Sequence, residues 1–520
     1  MRVPDACARG HQVTHAHSPS RDLFLPNPQS QTYTKILSDY FPSLGAAIVG
    51  ALEAGVVAID SGNGVAILAE LANQIAAGNV TAAQVDAFAL RTFLLRFRLG
   101  EFDSANAANP YARTWDESQL DGPAHRALAR EAVAKSAALL RNVGNALPLS
   151  AAAPPRQIAV IGPWGACTDT DGSYGCNMCM GGNYAAKTSV QSGVLDALRE
   201  EVGSAANVSF AMGSNAYSLS SPTGIADAAA LAAASDLVVL VLGLGCGVET
   251  EGQDRPSLRL PQVQDELLAA VSLAKRGGGK LLLITVSAGV IDLDASAADA
   301  WIQAFLPGEE AGHGLMDVIF GRASPSARLP LTLYADEYLQ VCGPTADFNM
   351  VSASSGVGRT YRFADRIPAG LVKMQFGYGL SYSSFTYSGL TATVLANNSV
   401  AVSVTVANSG AFSPAREVAQ VYVSVPPVAG LATPLRALRA FAVATLAAGA
   451  PQRLDFLLAY PDAFLTTAAD GSRSVTGGSY AIAVSGHQED DAMGAAQSNV
   501  VKAAVALPAA PAARAARAAL

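Results

Sequence analysis

The chain has 520 residues, of which 50% are hydrophobic and only 15% are charged, and its formal net charge at pH 7 is −8. At about 100–200 residues per domain, this length predicts about three domains with sizeable cores. The acidic balance argues against nucleic-acid binding, which needs a basic face or stripe. No apolar stretch reaches the roughly 20 charge-free residues of a membrane span. The first twenty residues contain no apolar signal core, so we expect no signal peptide in this chain.

In the N-terminal part of the chain, the sequence pattern predicts helices between two irregular segments. Residues 1–32 are rich in His, Pro and Ser, and we expect them to form a disordered leader. Residues 33–103 have apolar positions at helical spacing. Within them Thr81 is followed three positions later by Gln84, a capping-box pattern, and Gly100 closes the same helix. Residues 104–124 are polar, contain Asn-Pro and Gly-Pro pairs, and are typical of a linker.

Residues 125–350 alternate between helical and strand patterns. After a helix predicted over His125–Arg141, four continuous apolar runs predict buried strands: Ile158–Pro163, Asp236–Gly245, Lys280–Gly289 and Ala300–Gly308. Helical patterns lie between or after these runs, at Ser189–Glu201, Ala226–Ala234, Gln262–Lys275 and Gly312–Phe320. Continuous strands separated by helices predict an open α/β domain with a mostly parallel sheet.

The C-terminal part has a different texture. Residues 351–381 predict a connecting loop, and residues 382–490 alternate apolar and polar positions in several short runs. That alternation, with turn signals between the runs, predicts an all-β sandwich. Residues 491–520 end in Ala/Pro/Arg repeats from Ala503 onward, and we expect a disordered low-complexity tail.

Three cysteines cluster in the segment CTDTDGSYGCNMC, at Cys167, Cys176 and Cys179. Cys-x-x-Cys is half of many zinc sites, but no second Cys or His pair follows at a suitable spacing. A disulfide that closes a surface loop, or free thiols, is the favoured interpretation. We therefore expect no metal and no other cofactor.

Several phrases, taken in chain order, resemble glycoside hydrolase family 3 of the β-xylosidase/β-glucosidase kind. They are LRTFLLRFRLGEFD (Leu90–Asp103), EAVAKSAALLRNVGNALPL (Glu131–Leu149), VETEGQDRPSLRLP (Val248–Pro261), PGEEAGHGLMDVIFGRASPSARLPLTLY (Pro307–Tyr334), GRTYRF (Gly358–Phe363) and FGYGLSYSSFTYS (Phe376–Ser388). The resemblance implies a multidomain fold: a partial TIM-barrel remnant made of helices, an α/β sandwich, and a fibronectin type III-like β-sandwich.

The acidic phrase after the strand Asp236–Gly245 carries the candidate acid/base. The resemblance maps this role onto Glu251 through the motif E-G-x-D-R, with Glu249 as second choice. Asp254 and Arg255 are expected to form a supporting pair that holds the loop. An alternative is a solvated acidic loop whose Asp–Arg pair caps the next helix. The acids of PGEEAG, Glu309 and Glu310, are expected to have a structural role instead, because negative charges just before a helix interact favourably with its dipole.

The nucleophile is not identified. Retaining hydrolysis needs a second carboxylate about 5–5.5 Å from the first. Asp22 precedes Tyr33–Lys35 by about the number of residues that the resemblance implies for the nucleophile. The apolar strand that should come before it is absent, so Asp22 is a weak candidate. A complete barrel takes about 250 residues, whereas only about 100 precede the linker here. We therefore expect residues 33–103 to be a poorly packed remnant of the barrel.

The resemblance implies hydrolysis, with retention, of terminal β-linked xylose or glucose in cell-wall polysaccharides by a secreted enzyme. The expected partners are oligosaccharides or aryl and alkyl β-glycosides, with neither nucleic acid nor a membrane span. The alternative of the same ancestry is a non-catalytic carbohydrate-binding or interaction module. A nucleotide-binding protein is disfavoured, because GLGCG (Gly243–Gly247) lacks the third glycine and an acidic loop follows it.

Overall fold

The computed structural model describes residues 41–53, 64–103, 122–166, 180, 191–214, 224–245, 248–249, 255–343, 347, 349–468 and 472–511. The chain forms two compact units. We call residues 1–125, 247–254 and 344–348 the helical unit, and the remainder the main unit. The predicted leader, residues 1–32, lies outside the described residues.

The helical unit contains three described helices: α1 (Leu44–Glu53), α2 (Gly64–Ala76) and α3 (Ala82–Arg98). Their small shared core contains Ile48, Leu52, Ile67 and Val80. The capping box predicted at Thr81 is confirmed, because its side chain accepts from the Gln84 N–H and Gln84 reaches back to the Thr81 N–H. Helix α3 buries none of its residues, and Phe97 on it is 62% exposed. The described part of the segment is therefore helical, as the sequence predicts, and α3 leaves several large apolar side chains exposed.

The main unit begins within a helix, α4 (Pro123–Ser136), and a strand follows that helix. The helix starts at a proline, whose missing N–H costs nothing at the first helical position. Strand β1 (Ala138–Asn142) follows and pairs antiparallel with β6 (Ala300–Phe305). The predicted helix over His125–Arg141 was therefore wrong in its last turn. Ala138, Leu139 and Leu140 are fully buried against the sheet, and this tertiary pairing overrides a helical pattern.

The remaining strands of this sheet are parallel, as predicted. They are β2 (Gln157–Ile161), β3 (Asn207–Ala211), β4 (Leu237–Gly243), β5 (Lys280–Val286) and β6, and the sheet order is β1-β6-β5-β4-β2-β3. All seven residues of β4 are buried, because helices cover both faces of the sheet. Strand β3 was not predicted; its side chains are only half buried, so no continuous apolar run marks it.

Four helices accompany the parallel strands near their predicted positions: α5 (Val194–Val202), α6 (Ile225–Ala233), α7 (Gln262–Ala274) and α8 (Ala311–Ile319). Two short strands, β7 (Leu333–Tyr334) and β8 (Val372–Met374), then pair beside a 3₁₀ turn at Tyr361–Arg366. No described helix is long and apolar enough to cross a membrane.

A β-sandwich completes the main unit. One sheet has the order β13-β10-β9, with β9 (Phe385–Val394), β10 (Val400–Asn408) and β13 (Pro451–Leu458). The other has the order β12-β11-β16-β17, with β11 (Ala415–Ser424), β12 (Ala437–Leu446), β16 (Gly478–Ser485) and β17 (Val501–Leu507). Three short strands form a third sheet: β14 (Leu465–Thr467), β15 (Arg473–Val475) and β18 (Ala510–Pro511).

The C-terminal segment corrects one expectation. Residues 491–520 were expected to be a disordered tail, yet β17 pairs with β16 over seven register positions and buries Val505 and Leu507. Alternate apolar side chains enter the sandwich core, so the pattern that looks like low complexity is that of a strand with one buried face. Residues 512–520 lie outside the described residues.

A buried ion pair joins the α/β part of the main unit to the sandwich. Arg328 donates through Nη2 to Oε2 of Glu417 on β11 at 2.5 Å, and the two side chains are 8% and 1% exposed. The hydroxyl of Tyr387 donates to the other oxygen of Glu417 at 2.7 Å. Gln420 adds a hydrogen bond to the carbonyl of Gly377 at 3.0 Å. Both carboxylate oxygens of Glu417 thus have a partner, and Nη1 of Arg328 donates to the carbonyl of Gly379, while its Nε has no hydrogen-bond partner within the described residues.

Candidate active site

The order in which the chain adds parallel strands reverses between β2 and β4: β3 lies on one side of β2 and β4 on the other. Open α/β sheets bind ligands at such a switch point, beyond the carboxyl ends of the strands. The chain is tightly constrained there. Gly162, just after β2, has φ +112°, and a Cβ on it would lie 2.1 Å from the carbonyl oxygen of Val241. A Cβ on Gly243, the last residue of β4, would lie 2.1 Å from the carbonyl oxygen of Val286. Glycine is therefore required where both strands leave the sheet.

The acidic segment that follows β4 starts from a fixed point. Gln264 on α7 is fully buried and hydrogen-bonds both backbone polar groups of Gly243. Its Oε1 accepts from the Gly243 N–H at 2.9 Å, and its Nε2 donates to the Gly243 carbonyl at 2.8 Å. Because a buried peptide group without partners is costly, these two bonds fix the end of β4 and the point where the loop departs.

The far end of the same segment is fixed as well. The Arg255 guanidinium donates to the carbonyl of Val290 at 2.7 Å and to that of Ser257 at 3.2 Å. Oδ1 of Asp336 accepts from the Ser257 hydroxyl at 2.9 Å and from the Leu258 N–H at 2.5 Å. The residues that flank the acidic loop within the main unit are thus anchored on both sides.

Three aspartates gather behind this anchor. Asp292 accepts from the N–H of Asp336 at 2.9 Å, and its Oδ1 lies 4.0 Å from the Lys373 ammonium. Burial raises the pKa of Asp265, in the first turn of α7, to about 6; Arg259 opposes this rise and the negative charge of Asp292 adds to it. Asp265 therefore changes its charge in mildly acidic solution.

A buried polar network, which sequence reasoning missed, shapes the neighbouring strand ends. Trp301 Nε1 donates to the Thr285 hydroxyl at 2.8 Å, that hydroxyl bonds the side-chain oxygen of Gln303, and Gln303 Nε2 donates to the Ser287 hydroxyl at 3.0 Å. Phe305 follows at the end of β6 with φ +56°. A positive φ at an aromatic residue costs on the order of 1–3 kcal/mol and favours a functional position.

Helix α8 begins with a second charged group. Nδ1 of His313 lies 2.6 Å from Oε2 of the buried Glu310, and Nε2 of the same ring lies 2.9 Å from Oε2 of Glu200. Burial lowers the pKa of His313, but the hydrogen bonds to Glu310 and Glu200 outweigh it and raise the pKa above its usual value. In the described structure Glu310 thus has a histidine partner beside its position at the helix N-terminus.

The structure describes only some of the predicted site residues. Glu249 is half-buried in the helical unit, and Arg255 is placed as described above. Glu251, Asp254 and Asp22 lie outside the described residues, as do Cys167, Cys176 and Cys179. The acid/base role of Glu251 or Glu249, the pairing of Asp254 with Arg255 and the weak nucleophile candidate therefore stay predictions. Within the described ranges, no group of three His, Cys, Asp or Glu side chains could hold a metal ion.

Two family models match the chain. The glycosyl hydrolase family 3 C-terminal domain matches residues 137–382, and the fibronectin type III-like domain matches residues 417–488. Among curated proteins, Beta-D-xylosidase 1 of Arabidopsis thaliana is 33% identical over 352 residues, which cover 66% of this chain and 42% of that protein. An exo-alpha-(1->6)-L-arabinopyranosidase of Bifidobacterium longum is 31% identical over 388 residues, covering 72% of this chain and 47% of that protein.

Solved structures show the same similarity. The Bifidobacterium adolescentis family 3 beta-glucosidase superposes with a TM-score of 0.68 at 26% identity, covering 90% of this chain and 63% of that one. The exo-beta-xylosidase XlnD, solved with a xylobiose aziridine probe, gives a TM-score of 0.71 at 25% identity and covers 91% and 59%. The chain thus spans less than half of those two curated relatives and about three fifths of these two structures.

Proposed function

Because this chain carries the C-terminal domain of glycosyl hydrolase family 3 with its fibronectin type III-like domain, and so belongs to that family, we propose that it serves glycoside hydrolysis. The bonds to be cleaved are those of terminal β-linked xylose or glucose at the non-reducing ends of cell-wall polysaccharides. The relatives named as a xylosidase and a glucosidase support this choice of sugars. Such substrates lie outside the cell, so the proposal includes secretion.

One observation carries the proposal. The acidic segment leaves the sheet at its switch point, and its flanking residues are fixed by Gln264 on one side and by Asp336 on the other. A general acid must hold its position within hydrogen-bond reach of the leaving oxygen, so a loop with anchored ends suits that task. In this proposal Glu251 protonates the leaving oxygen and then, as a carboxylate, takes the proton of the attacking water.

Double displacement also needs a carboxylate nucleophile, which attacks the anomeric carbon and forms the glycosyl-enzyme. Asp22 stays the weak candidate for this role. Asp254 and Arg255 would hold the loop; the bonds from Arg255 to the carbonyls of Ser257 and Val290 support that part of the proposal.

The test is hydrolysis of aryl β-xylosides and β-glucosides by the purified chain and its E251Q, E249Q and D22N variants. The two glutamates are two residues apart, so E249Q is a matched control. An acid is needed less when the leaving group is a weak base. We therefore expect E251Q to lose at least 100-fold in kcat/KM, which reports the glycosylation step, toward a phenyl glycoside and much less toward a dinitrophenyl glycoside.

Each outcome decides a part of the proposal. Full activity in E251Q with loss in E249Q would move the acid/base role to Glu249. A loss of kcat/KM in both variants that is independent of the leaving group would contradict acid catalysis by this loop. No hydrolysis by the folded wild-type chain would favour the alternative, a non-catalytic carbohydrate-binding or interaction module.

A further inference from the structure

Two arginines in the main unit lack the counter-ion that comparable arginines have. Arg130, Arg322, Arg328 and Arg436 each contact a carboxylate at 2.5 or 2.6 Å. Arg362 and Arg439 form no ion pair within the described residues, although both are half-buried. Their Nε atoms are buried there without a hydrogen-bond partner, as are those of Arg328 and Arg436. What sets Arg362 and Arg439 apart is therefore the missing carboxylate, since Arg328 and Arg436 each have one on another guanidinium nitrogen. A half-buried guanidinium without a counter-ion requires an explanation.

The backbone holds the two arginines in one place. Arg362 lies in the 3₁₀ turn at Tyr361–Arg366, and its carbonyl accepts from the N–H of Leu435 at 2.6 Å. The hydroxyl of Tyr361 accepts from the N–H of Leu438, one residue before Arg439, at 3.0 Å. The turn that carries Arg362 is therefore fixed to the start of β12, which carries Arg439.

A β-bulge sets the direction of Arg439. Leu438 faces Tyr422 and Ala440 faces Val421 across the β11–β12 pair, so Arg439 has no partner residue on β11. An extra residue of this kind leaves the ladder and re-aims its side chain, and bulges are frequent beside functional sites. The site is thus built by two independent irregularities of the backbone, a bulge and a 3₁₀ turn.

The charges at this position repel one another. Burial lowers the pKa of Arg439, and the positive charges of Arg362 and Arg473 lower it further. Holding like charges together in a half-buried position costs free energy, which a bound anion would offset. A guanidinium presents its N–H groups in a planar fork that matches a carboxylate.

An exposed aromatic ring lies on the same strand. Phe441 follows Arg439 by two residues, about 6–7 Å along the strand, and is 65% exposed. Its strand neighbour Val443 is 40% exposed. An apolar ring beside an anion site supplies a surface on which a sugar ring can pack.

We propose that Arg362 and Arg439 bind the carboxylate of a uronic acid residue in an acidic polysaccharide, with Phe441 packing against the neighbouring sugar ring. The choice of a polysaccharide rests on the proposed function. Binding itself requires no hydrolysis, so a catalytically inactive chain would still give a clear answer.

The experiment is calorimetric titration of the purified chain with a glucuronic-acid-bearing xylo-oligosaccharide and with a neutral one of equal length. We expect the acidic ligand to bind at least tenfold more tightly, and R362Q or R439Q to abolish that preference. R366Q is the matched control, because Arg366 is an exposed arginine of the same 3₁₀ turn; it should keep the preference. F441A should weaken both ligands equally.

Further measurements keep the test decisive. R362K retains the charge but loses the planar fork, so we expect at least a fivefold loss of affinity for the acidic ligand. In anion-free buffer, R362Q and R439Q should melt at or above the wild-type temperature, because a like-charge contact is removed; this controls for folding. Equal affinity for both oligosaccharides would overturn the proposal. So would inorganic sulfate that binds as tightly as the acidic ligand and competes with it, which would mean an adventitious ion only.

Discussion

Replacing Asp265 by asparagine removes a carboxyl whose pKa the fold raises from 3.8 to about 6. The folded chain thus holds this proton more tightly than the unfolded chain does. The stabilising effect of the protonated carboxyl is fully present below about pH 4 and is lost as the pH rises through about 6. A shift of about two units corresponds to about 3 kcal/mol at most. Because the carboxyl is half-exposed, screening by water reduces this to about 1–2 kcal/mol.

We therefore expect the free energy of unfolding of D265N, relative to that of wild type, to increase by about 1–2 kcal/mol as the pH rises from 4 to 7.5. Urea unfolding at several pH values, followed by tryptophan fluorescence, measures this difference. D227N is the matched control, since Asp227 is an exposed acid in the first turn of α6. Because its side chain is exposed, we expect D227N to show no comparable gain. A D265N difference that does not change with pH would refute the assigned burial effect.

Three further predictions concern other contacts. Q264L removes both partners of the Gly243 peptide and should cost about 2–4 kcal/mol; unchanged hydrogen exchange at residues 243–245 would contradict the clamp. E417Q leaves the buried Arg328 without a counter-ion and should cost about 3–5 kcal/mol by calorimetry, whereas an unchanged melting temperature would refute this. The pKa of His313 is raised, so its stabilising effect is complete below about 6.5 and is lost at higher pH. H313Q should thus cost about 1 kcal/mol more at pH 5.5 than at pH 8.5, and equal costs would rule out the charged histidine.

The strands of the parallel sheet could be predicted because burial on both faces leaves a continuous apolar run, as in β4. The same reasoning failed where only part of a strand is buried, as in β3, or where pairing overrides the local pattern, as in β1. Strand β17 was missed because its alanines resemble a repeat, although alternate side chains enter the core.

The candidate site was less accessible to sequence reasoning. The acidic loop is visible as a motif, but the Gln264 clamp joins residues 21 positions apart, and the Asp336 anchor joins residues 78 apart. Polar residues such as Thr285 and Gln303 occur inside apolar runs and gain meaning only when neighbouring strands bring them together. The β-bulge at Arg439 depends on the register of a pair, which no local pattern encodes.

The buried pair of Arg328 and Glu417 has a consequence for how the chain can be divided. Fibronectin type III-like modules are commonly regarded as interchangeable parts, joined to their neighbours by little more than a linker. Here a cut near residue 382 would separate a carboxylate in the interior of the module from the cation that neutralises it. A transplanted module would therefore carry an orphaned charge into its new host, and shuffling would have to move the arginine together with the strand.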